Sequence, residues 1–292
     1  MNGTSELFAE AVATVAPSVV RVEGRRRYPL SGVAWSEELV VTTSRAVECE
    51  EGIKVGLDDG RLHDAEFVGS DPRLDLALLR VGAGSLQQAG WSEDEPKVGQ
   101  VALIVGRPSN GVRASLGIVS SLEGEWRTYS GGKVDSYLTT DAKPFAGFSG
   151  GPLITGGGEV LGINTAALTR TGSVTLPPAA VRRTVDELLA HGKVRRGYVG
   201  IAGQLVLLPR EMQESVGQRS GVLVMSVEPD SPAAGAGLTL GDTLLEIAGE
   251  KVGAPGDLFQ VLDGARIGES VTVRYLRGGE EGEASLTVGE RP

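Results

Sequence analysis

The sequence predicts a mainly β protein built from two domains. Its 292 residues suffice for about two domains of ordinary size, and 40% hydrophobic residues allow each domain a core. Short β-branched runs separated by Gly, Pro, Asp and Ser are typical of a sandwich or barrel. They are Val19–Val22, Leu39–Thr43, Gly52–Leu57, Val101–Val105, Gly117–Ser121, Leu153–Ile154 and Val160–Ile163. The same pattern of short β-branched runs and turn residues returns after Arg196, which indicates a second core.

Helical patterns flank the first domain. One is predicted over 5–15, capped by Thr4 or Ser5, and a second over 179–190, opened by Pro177 and Pro178 and ended by Gly192. Their apolar faces are Leu7, Phe8, Ala11, Val12 and Val15, and Val181, Val185, Leu188 and Leu189. Lys193–Arg196 is predicted to be a linker, and a short helix is expected near 256–263.

Composition excludes several classes of function. A formal net charge of -10 repels phosphate backbones and anionic lipids, and Arg25-Arg26-Arg27 is too short to reverse this, so nucleic acid is not expected as a partner. Cys49 is the single cysteine, which excludes an intrachain disulfide and a cysteine metal cluster, and we expect no metal or cofactor. We also expect a soluble chain without a membrane span or export signal.

The sharpest motif is the segment Asp141–Leu153, in which Ser149 is followed by two glycines and preceded, two positions back, by Gly147. Such glycines let the backbone turn so that the Gly147 and Ser149 N–H groups point at one developing oxyanion. For an isolated motif of this kind, an ordinary glycine-rich turn is an equal alternative.

A second motif places a carboxylate inside an apolar strand. Asp75 lies in Asp71–Leu79, where a carboxylate is costly unless it is hydrogen-bonded, as a triad aspartate is. Gly158–Thr165 and the helix running into Arg196-Gly197-Tyr198 follow later in the chain.

Taken in order, these segments, with Ser31-Gly32-Val33 and Gly117-Ile118-Val119-Ser120, resemble the HtrA/Deg family of serine proteases. The resemblance implies a trypsin-like double β-barrel over residues 1–192 and one PDZ domain over 193–292. It assigns the nucleophile to Ser149, the aspartate to Asp75 and the oxyanion hole to Gly147, Phe148 and Ser149. It also implies homotrimers and an extracytoplasmic location.

The chain departs from the family at the general base. The family's histidine segment aligns with Thr42–Val47, which places Arg45 at the histidine position. A guanidinium cannot accept a proton from Ser149, but it can form a bidentate pair with Asp75. Losing a triad member costs on the order of 10⁶ in rate, with about 10³–10⁴ over water remaining. We therefore predict a proteolytically inactive or severely impaired protein.

Three other side chains are candidate replacements for the base. The two histidines, His63 and His191, are expected on a distant strand and at a helix end. Lys143 could form a Ser–Lys dyad only if it were desolvated and within reach of Ser149, and a solvated lysine is favoured. Phe145 and Phe148 replace asparagines usual in the family, and could fill the substrate pocket or change its shape.

The second domain carries a peptide-binding motif. Tyr198-Val199-Gly200-Ile201 resembles the carboxylate-binding loop of PDZ domains, and Gly221–Val224, Ser231–Leu238 and Leu240–Asp242 fit the core of that fold. Successive N–H groups in such a loop bind a terminal carboxylate while a strand edge accepts the peptide.

Three functions are compatible with these observations. The first is a protease-fold protein that binds unfolded or C-terminal peptides without cutting them and acts as a chaperone, scaffold or regulator. Such a protein could also assemble with an active relative. The second is an active serine endopeptidase that uses a base other than histidine. The third is a structural module that holds other proteins in place.

Overall fold

The computed structural model describes residues 3–82, 84, 86–128, 132–169, 172–262 and 266–291. The chain divides into two units, Met1–Val194 and Arg195–Pro292, and each is described by itself. Among these described residues, no helix is long and apolar enough to cross a membrane. The mainly β prediction is confirmed.

Unit 1 consists of fourteen strands between two helices in its described part. The helices are α1 (Thr4–Val15) and α2 (Pro178–His191), and 3₁₀ turns cover Ala16–Ser18 and Ser44–Ala46. The strands are β1 (Val19–Glu23), β2 (Leu30–Ala34), β3 (Leu39–Thr42), β4 (Lys54–Gly56), β5 (Leu62–Asp71), β6 (Leu76–Val81), β7 (Val101–Gly106), β8 (Arg113–Glu123), β9 (Trp126–Arg127), β10 (Lys133–Val134), β11 (Tyr137–Thr140), β12 (Pro152–Thr155), β13 (Val160–Thr165) and β14 (Val174–Leu176).

Twelve of these strands form two closed antiparallel barrels, as the double-barrel prediction requires. The first runs β1-β2-β3-β6-β5-β4 and the second β11-β14-β13-β12-β7-β8. Alternation along β1 sends one face into its own barrel and the other into a core shared with the second barrel. Thus Val20 and Val22 belong to the interior of the first barrel, while Val19 packs into a shared core with Val105 and Ile163 of the second.

The two helices follow from local sequence, with corrections to the N-cap of α1 and to the predicted apolar faces, since Leu7 and Leu189 are exposed. Gly192, at φ 68°, ends α2 after the Pro178 start, as predicted. The N-cap of α1 is Gly3 rather than Thr4 or Ser5, because the helix already begins at Thr4. On α1, Ala11 and Val15 are buried, whereas Leu7 is 52% exposed and lies outside the packed face.

Unit 2 is a sheet of six strands with a separate two-stranded ladder and three short helices in its described part. Its elements are β15 (Gly197–Tyr198), β16 (Ile201–Leu207), α3 (Arg210–Val216), β17 (Ser220–Val227), α4 (Pro232–Gly235), β18 (Thr243–Ile247), β19 (Glu250–Lys251), α5 (Pro255–Val261), β20 (Ser270–Arg277), β21 (Glu280–Thr287) and β22 (Gly289–Glu290). The sheet order is β16-β17-β18-β20-β21, with β19 beside β18 and β15 paired with β22.

The helix expected near 256–263 is α5, and residue 263 itself lies outside the described residues. Helix α3 was not predicted, since it is short and leaves no residue fully buried. The core of unit 2 is separate, and includes Val222, Leu244 and Val273. Buried Asp242 is held by Arg277 through two bonds of 2.7 and 2.8 Å. Burial alone would raise the pKa of Asp242, but these bonds and that from the Thr239 N–H lower it overall.

Candidate functional site

Asp75 is a buried carboxylate whose oxygens are both hydrogen-bonded. Its Oδ1 accepts from the Ser44 hydroxyl at 2.7 Å and the Arg45 N–H at 3.3 Å, and its Oδ2 accepts from the Thr165 hydroxyl at 2.6 Å. Its backbone adopts φ 52°, a left-handed conformation that aspartate tolerates better than most residues. The expectation that Asp75 requires hydrogen-bond partners therefore fits this geometry.

The side chain of Arg45 does not take part in that network. Among the described residues no ion pair joins it to Asp75, and the residue is exposed, so the predicted bidentate pair is wrong. The physical reason is that two hydroxyls and a backbone N–H already satisfy the carboxylate, so the guanidinium gains more from hydration than from desolvated pairing. The backbone of Arg45 nevertheless lies directly against Asp75.

The loop that carries Ser149 offers two N–H groups without acceptors. Within the described ranges, neither the Gly147 nor the Ser149 N–H donates an intramolecular hydrogen bond, whereas the Phe148 N–H donates to the Phe145 carbonyl at 3.1 Å. The inclusion of Phe148 in the predicted oxyanion hole is therefore wrong for its N–H, which is already engaged. Gly147 has φ 89°, and a Cβ there would lie 2.5 Å from Pro108 Cβ. A Cβ on Gly150 would collide with the Ser31 carbonyl oxygen. The glycines on both sides of Ser149 are thus sterically required.

Ser31, on β2 of the first barrel, fixes this loop of the second barrel. Its N–H donates to the Ser149 carbonyl at 3.1 Å, and its hydroxyl donates to the Gly147 carbonyl at 2.7 Å while accepting the Arg107 N–H at 2.8 Å. The Arg107 guanidinium is buried against backbone carbonyls such as that of Val19, and this burial lowers its pKa.

A second connection brings the Ser149 loop toward Asp75. The Gly150 N–H donates to the Asn164 carbonyl at 2.8 Å, and the next residue along β13, Thr165, holds Asp75. The loop and the carboxylate therefore meet at the junction between the two barrels.

The alternative bases lie elsewhere or make no contact. His63 lies on β5 eight residues before Asp71, the last residue of that strand and the one nearest to Asp75 in the chain. Eight residues of an extended strand span about 25 Å. His191 is exposed at the end of α2, and Lys143 is exposed with no hydrogen bond to Ser149. In the described part of the chain, no histidine or lysine is hydrogen-bonded to Ser149 or Asp75.

The two phenylalanines of the loop have different environments. Phe148 is 0% exposed and packs inside the second barrel with Ile104 and Leu153, whereas Phe145 is 47% exposed. Their rings meet edge to face with centroids 5.4 Å apart. Of the two, Phe148 therefore serves as a core residue beside the serine.

In unit 2 the loop 198–201 also presents N–H groups. No described residue accepts from the Val199 or Gly200 N–H, while their carbonyls accept from Ala233 at 2.9 Å and Glu228 at 2.8 Å. The Tyr198 hydroxyl donates to the Glu228 carboxylate at 2.6 Å, which raises the pKa of Tyr198. Ile201 begins β16, which ends the sheet and leaves one strand edge open among the described strands. A carboxylate-binding loop beside an open edge suits an extended peptide.

Sequence reasoning missed the hydroxyl groups that organise the first site. Ser44 and Thr165 lie in the segments Thr42–Val47 and Gly158–Thr165, and Ser31 lies in Ser31-Gly32-Val33, but no local pattern in the sequence assigns these hydroxyls a role. A polar residue at the end of a buried strand, as Thr165 is on β13, was the available signal.

Comparison with known proteins identifies the two units. Residues 30–163 match the trypsin-like peptidase domain and residues 207–288 match the PDZ domain. A probable periplasmic serine endoprotease DegP-like from Halomonas elongata is 35% identical over 278 residues, covering 91% of this chain and 57% of the relative. Protease Do-like 1, chloroplastic, from Arabidopsis thaliana is 33% identical, covering 90% of this chain and 64% of the relative. The chain thus spans about three-fifths of the length of the curated relatives it matches.

Solved structures agree over nearly the whole chain. A serine endoprotease from Yersinia pestis is 30% identical with a TM-score of 0.79, covering 98% of each chain. The HtrA-type protease AlgW with a decapeptide is 28% identical with a TM-score of 0.78, covering 98% of this chain and 99% of the other. With a double barrel carrying a serine loop, a separate PDZ unit and these relatives, the chain belongs to the HtrA/DegP family of trypsin-like serine proteases with a PDZ domain.

Proposed function

We propose that this chain is a protease-fold protein that binds polypeptides and has lost all or most of its proteolytic activity. The observation that carries the proposal is the set of donors on Asp75, which consists of two hydroxyls and the Arg45 N–H. A triad requires an imidazole between the carboxylate and the serine to receive the hydroxyl proton. In this proposal Arg45 occupies the place of that imidazole, and its guanidinium accepts no proton.

An active serine endopeptidase is the second candidate. The relatives are named as serine endoproteases, and the Gly147 and Ser149 N–H groups are free of intramolecular acceptors in the described part, as an oxyanion hole requires. This candidate needs a base that no described contact supplies to Ser149. The first candidate needs no such group.

A fluorophosphonate probe tests the two candidates, because it reacts only with a serine whose hydroxyl is activated. We expect the probe to label trypsin rapidly and to leave this chain unlabelled under the same conditions. Ser149→Ala defines the background. Rapid labelling of the unmodified chain that disappears in Ser149→Ala would overturn the proposal in favour of the active endopeptidase.

The proposed ligands are unfolded polypeptides and C-terminal peptides bound by the PDZ unit. The AlgW structures contain peptides. In the described part of this chain, the Val199 and Gly200 N–H groups have no acceptor and lie at the start of β16, whose outer edge is unpaired. The backbone of Val199 and Gly200 would bind the terminal carboxylate, and β16 would pair with the peptide backbone.

Gly200→Ala is expected to abolish binding of C-terminal peptides. Gly200 has φ 80°, and a Cβ on it would collide with the Ser231 side chain, so the loop must shift and its N–H groups must diverge. Gly237→Ala is the matched control, since Gly237 has φ 75° but no atom within 4 Å of its Cβ position. Anisotropy of a labelled C-terminal peptide library measures the effect. If Gly200→Ala bound the peptides as tightly as Gly237→Ala does, the loop would not be part of the ligand site.

Assembly and location belong to the same proposal. We propose a homotrimer, or co-assembly with an active relative, through the N-terminal segment, where Leu7 of α1 is exposed. Because the DegP-like relatives are named as periplasmic, we also propose an extracytoplasmic location.

A further inference from the structure

A loop of three consecutive arginines borders the Ser149 site. The arginine loop, residues 25–28, connects β1 to β2 and contains Arg25, Arg26, Arg27 and Tyr28. This run is the densest positive segment in a chain whose net charge is -10. Such a local concentration of one sign of charge attracts ligands of the opposite sign.

One end of the arginine loop is fixed to the segment that follows Arg45. Gly24 forms a parallel bridge with Val47, and its carbonyl accepts the Glu48 N–H at 2.8 Å. A Cβ on Gly24 would lie 2.6 Å from the Ala46 carbonyl oxygen, so the two backbones are in direct contact. The arginine loop therefore starts beside Ala46 and Val47, the two residues that follow Arg45 in the chain.

The other end is fixed to the serine loop. The Pro29 carbonyl oxygen lies 3.1 Å from the Cβ position of Gly147, and Ser31 is bonded to Gly147 and Ser149. The arginine loop thus spans from the Arg45 segment to the Gly147 backbone and forms one border of the Ser149 site.

In the described part of the chain, four cations from the arginine loop, the Arg45 segment and the segment before Ser149 have no acidic partner. Arg26, Arg27, Arg45 and Lys143 are exposed, and none of their side chains forms an ion pair within the described part of the chain. Arg25 differs, because its guanidinium lies 5.2 Å from the centroid of the Tyr28 ring and 3.7 Å from Glu48.

Nearby carboxylates only partly offset these charges. Glu48 is engaged by Arg25 and by the Arg26 N–H, and Asp141 accepts the Ile118 N–H at 2.7 Å. Glu50 and Glu51 are exposed in the segment after Cys49. Because Glu48 and Asp141 are already engaged, the four unpaired cations outnumber the two remaining acids of this set, Glu50 and Glu51, in the described part of the chain. Guanidinium groups bind carboxylates in a bidentate manner.

We propose that the arginine loop, with Arg45 and Lys143, recognises acidic residues of a polypeptide that lies across Ser149. The inference rests on the proposed function in that the chain binds polypeptides, and it adds the Ser149 site of unit 1 as a second binding surface beside the PDZ unit. An acidic polypeptide is favoured over nucleic acid because the chain as a whole is strongly anionic and would repel a long phosphate backbone. Arg45 then acts as a binding residue at the position proposed for the base.

The test compares peptide binding by the full chain and its variants. Fluorescence anisotropy is measured with a Glu-rich peptide and its Gln-substituted counterpart, both amidated at the C-terminus so that the PDZ loop is not engaged. We expect the acidic peptide to bind about tenfold more tightly, with the preference falling as salt rises from ~50 to ~300 mM. Arg26→Gln/Arg27→Gln should weaken acidic-peptide binding about fivefold.

The matched control is Arg80→Gln/Arg113→Gln, which removes the same charge from exposed positions of unit 1. Equal weakening by both pairs, equal affinity for both peptides, or equally tight binding of single-stranded DNA would overturn the inference. Arg26→Glu/Arg27→Glu should reverse the preference toward a Lys-rich peptide. The fluorophosphonate result is independent, because an active Ser149 would overturn the proposed function without changing these binding preferences.

Discussion

Arg45→His is expected to create Ser149-dependent proteolysis, with a rate gain of about 10³-fold or more. The carboxylate of Asp75 has about four acceptor positions, and three are taken by Ser44, the Arg45 N–H and Thr165. One position on Oδ2 remains for an imidazole N–H. In the described part of the chain, the Gly147 and Ser149 N–H groups have no intramolecular acceptor, so under the proposal they are available to an oxyanion.

The measurement is the initial rate of cleavage of labelled casein. Arg45→His/Ser149→Ala should return the rate to background, and Arg45→Gln should show no gain, because removing the cation supplies no proton acceptor. The expectation fails if the unmodified chain already cleaves casein through Ser149 at a rate within about tenfold of Arg45→His. In that case another group acts as the base.

Phe148→Ala is expected to lower the free energy of unfolding of unit 1 by about 3–5 kcal/mol. Phe148 is fully buried in the second barrel, and Gly106 packs so closely that a Cβ there would lie 2.7 Å from its ring. The truncation leaves a cavity that the closed barrel fills only in part.

Tryptophan fluorescence during urea unfolding measures this change in unit 1 alone. Trp35, Trp91 and Trp126 are the three tryptophans of the chain, and all lie in that unit. Phe145→Ala is the control, expected to cost no more than about 1 kcal/mol because that ring is half exposed. Comparable losses in both variants would show that Phe148 is not a core anchor.

Local patterns in the sequence predicted the parts of the fold that local physics determines. The proline start and glycine end of α2 and the short β-branched runs all correspond to elements of the structure. The lengths of the strands could not be predicted as well. Strands β5 and β8 continue through polar residues, which are extended only because they pair with neighbouring strands of the barrel. Helix α3 was missed because its seven residues carry no buried face.

Long-range contacts explain what the sequence could not predict about the site. Thr165 lies ninety residues after Asp75 in the chain and donates a hydrogen bond to it, and no local sequence pattern indicates such a bond. The prediction of an Arg45–Asp75 pair was wrong because it was based on charge alone and overlooked neutral hydrogen-bond donors. Hydroxyls and backbone N–H groups satisfy a buried carboxylate without desolvating a second ion.

The burial of Phe148 also bears on allosteric control. A protein can switch the segment beside its nucleophile between two arrangements only when their free energies are close. Here any rearrangement that withdraws Phe148 from the barrel would cost about 3 kcal/mol or more, which keeps the alternative state below about 1% of molecules. Ligands of either unit would therefore find this segment already set in one conformation.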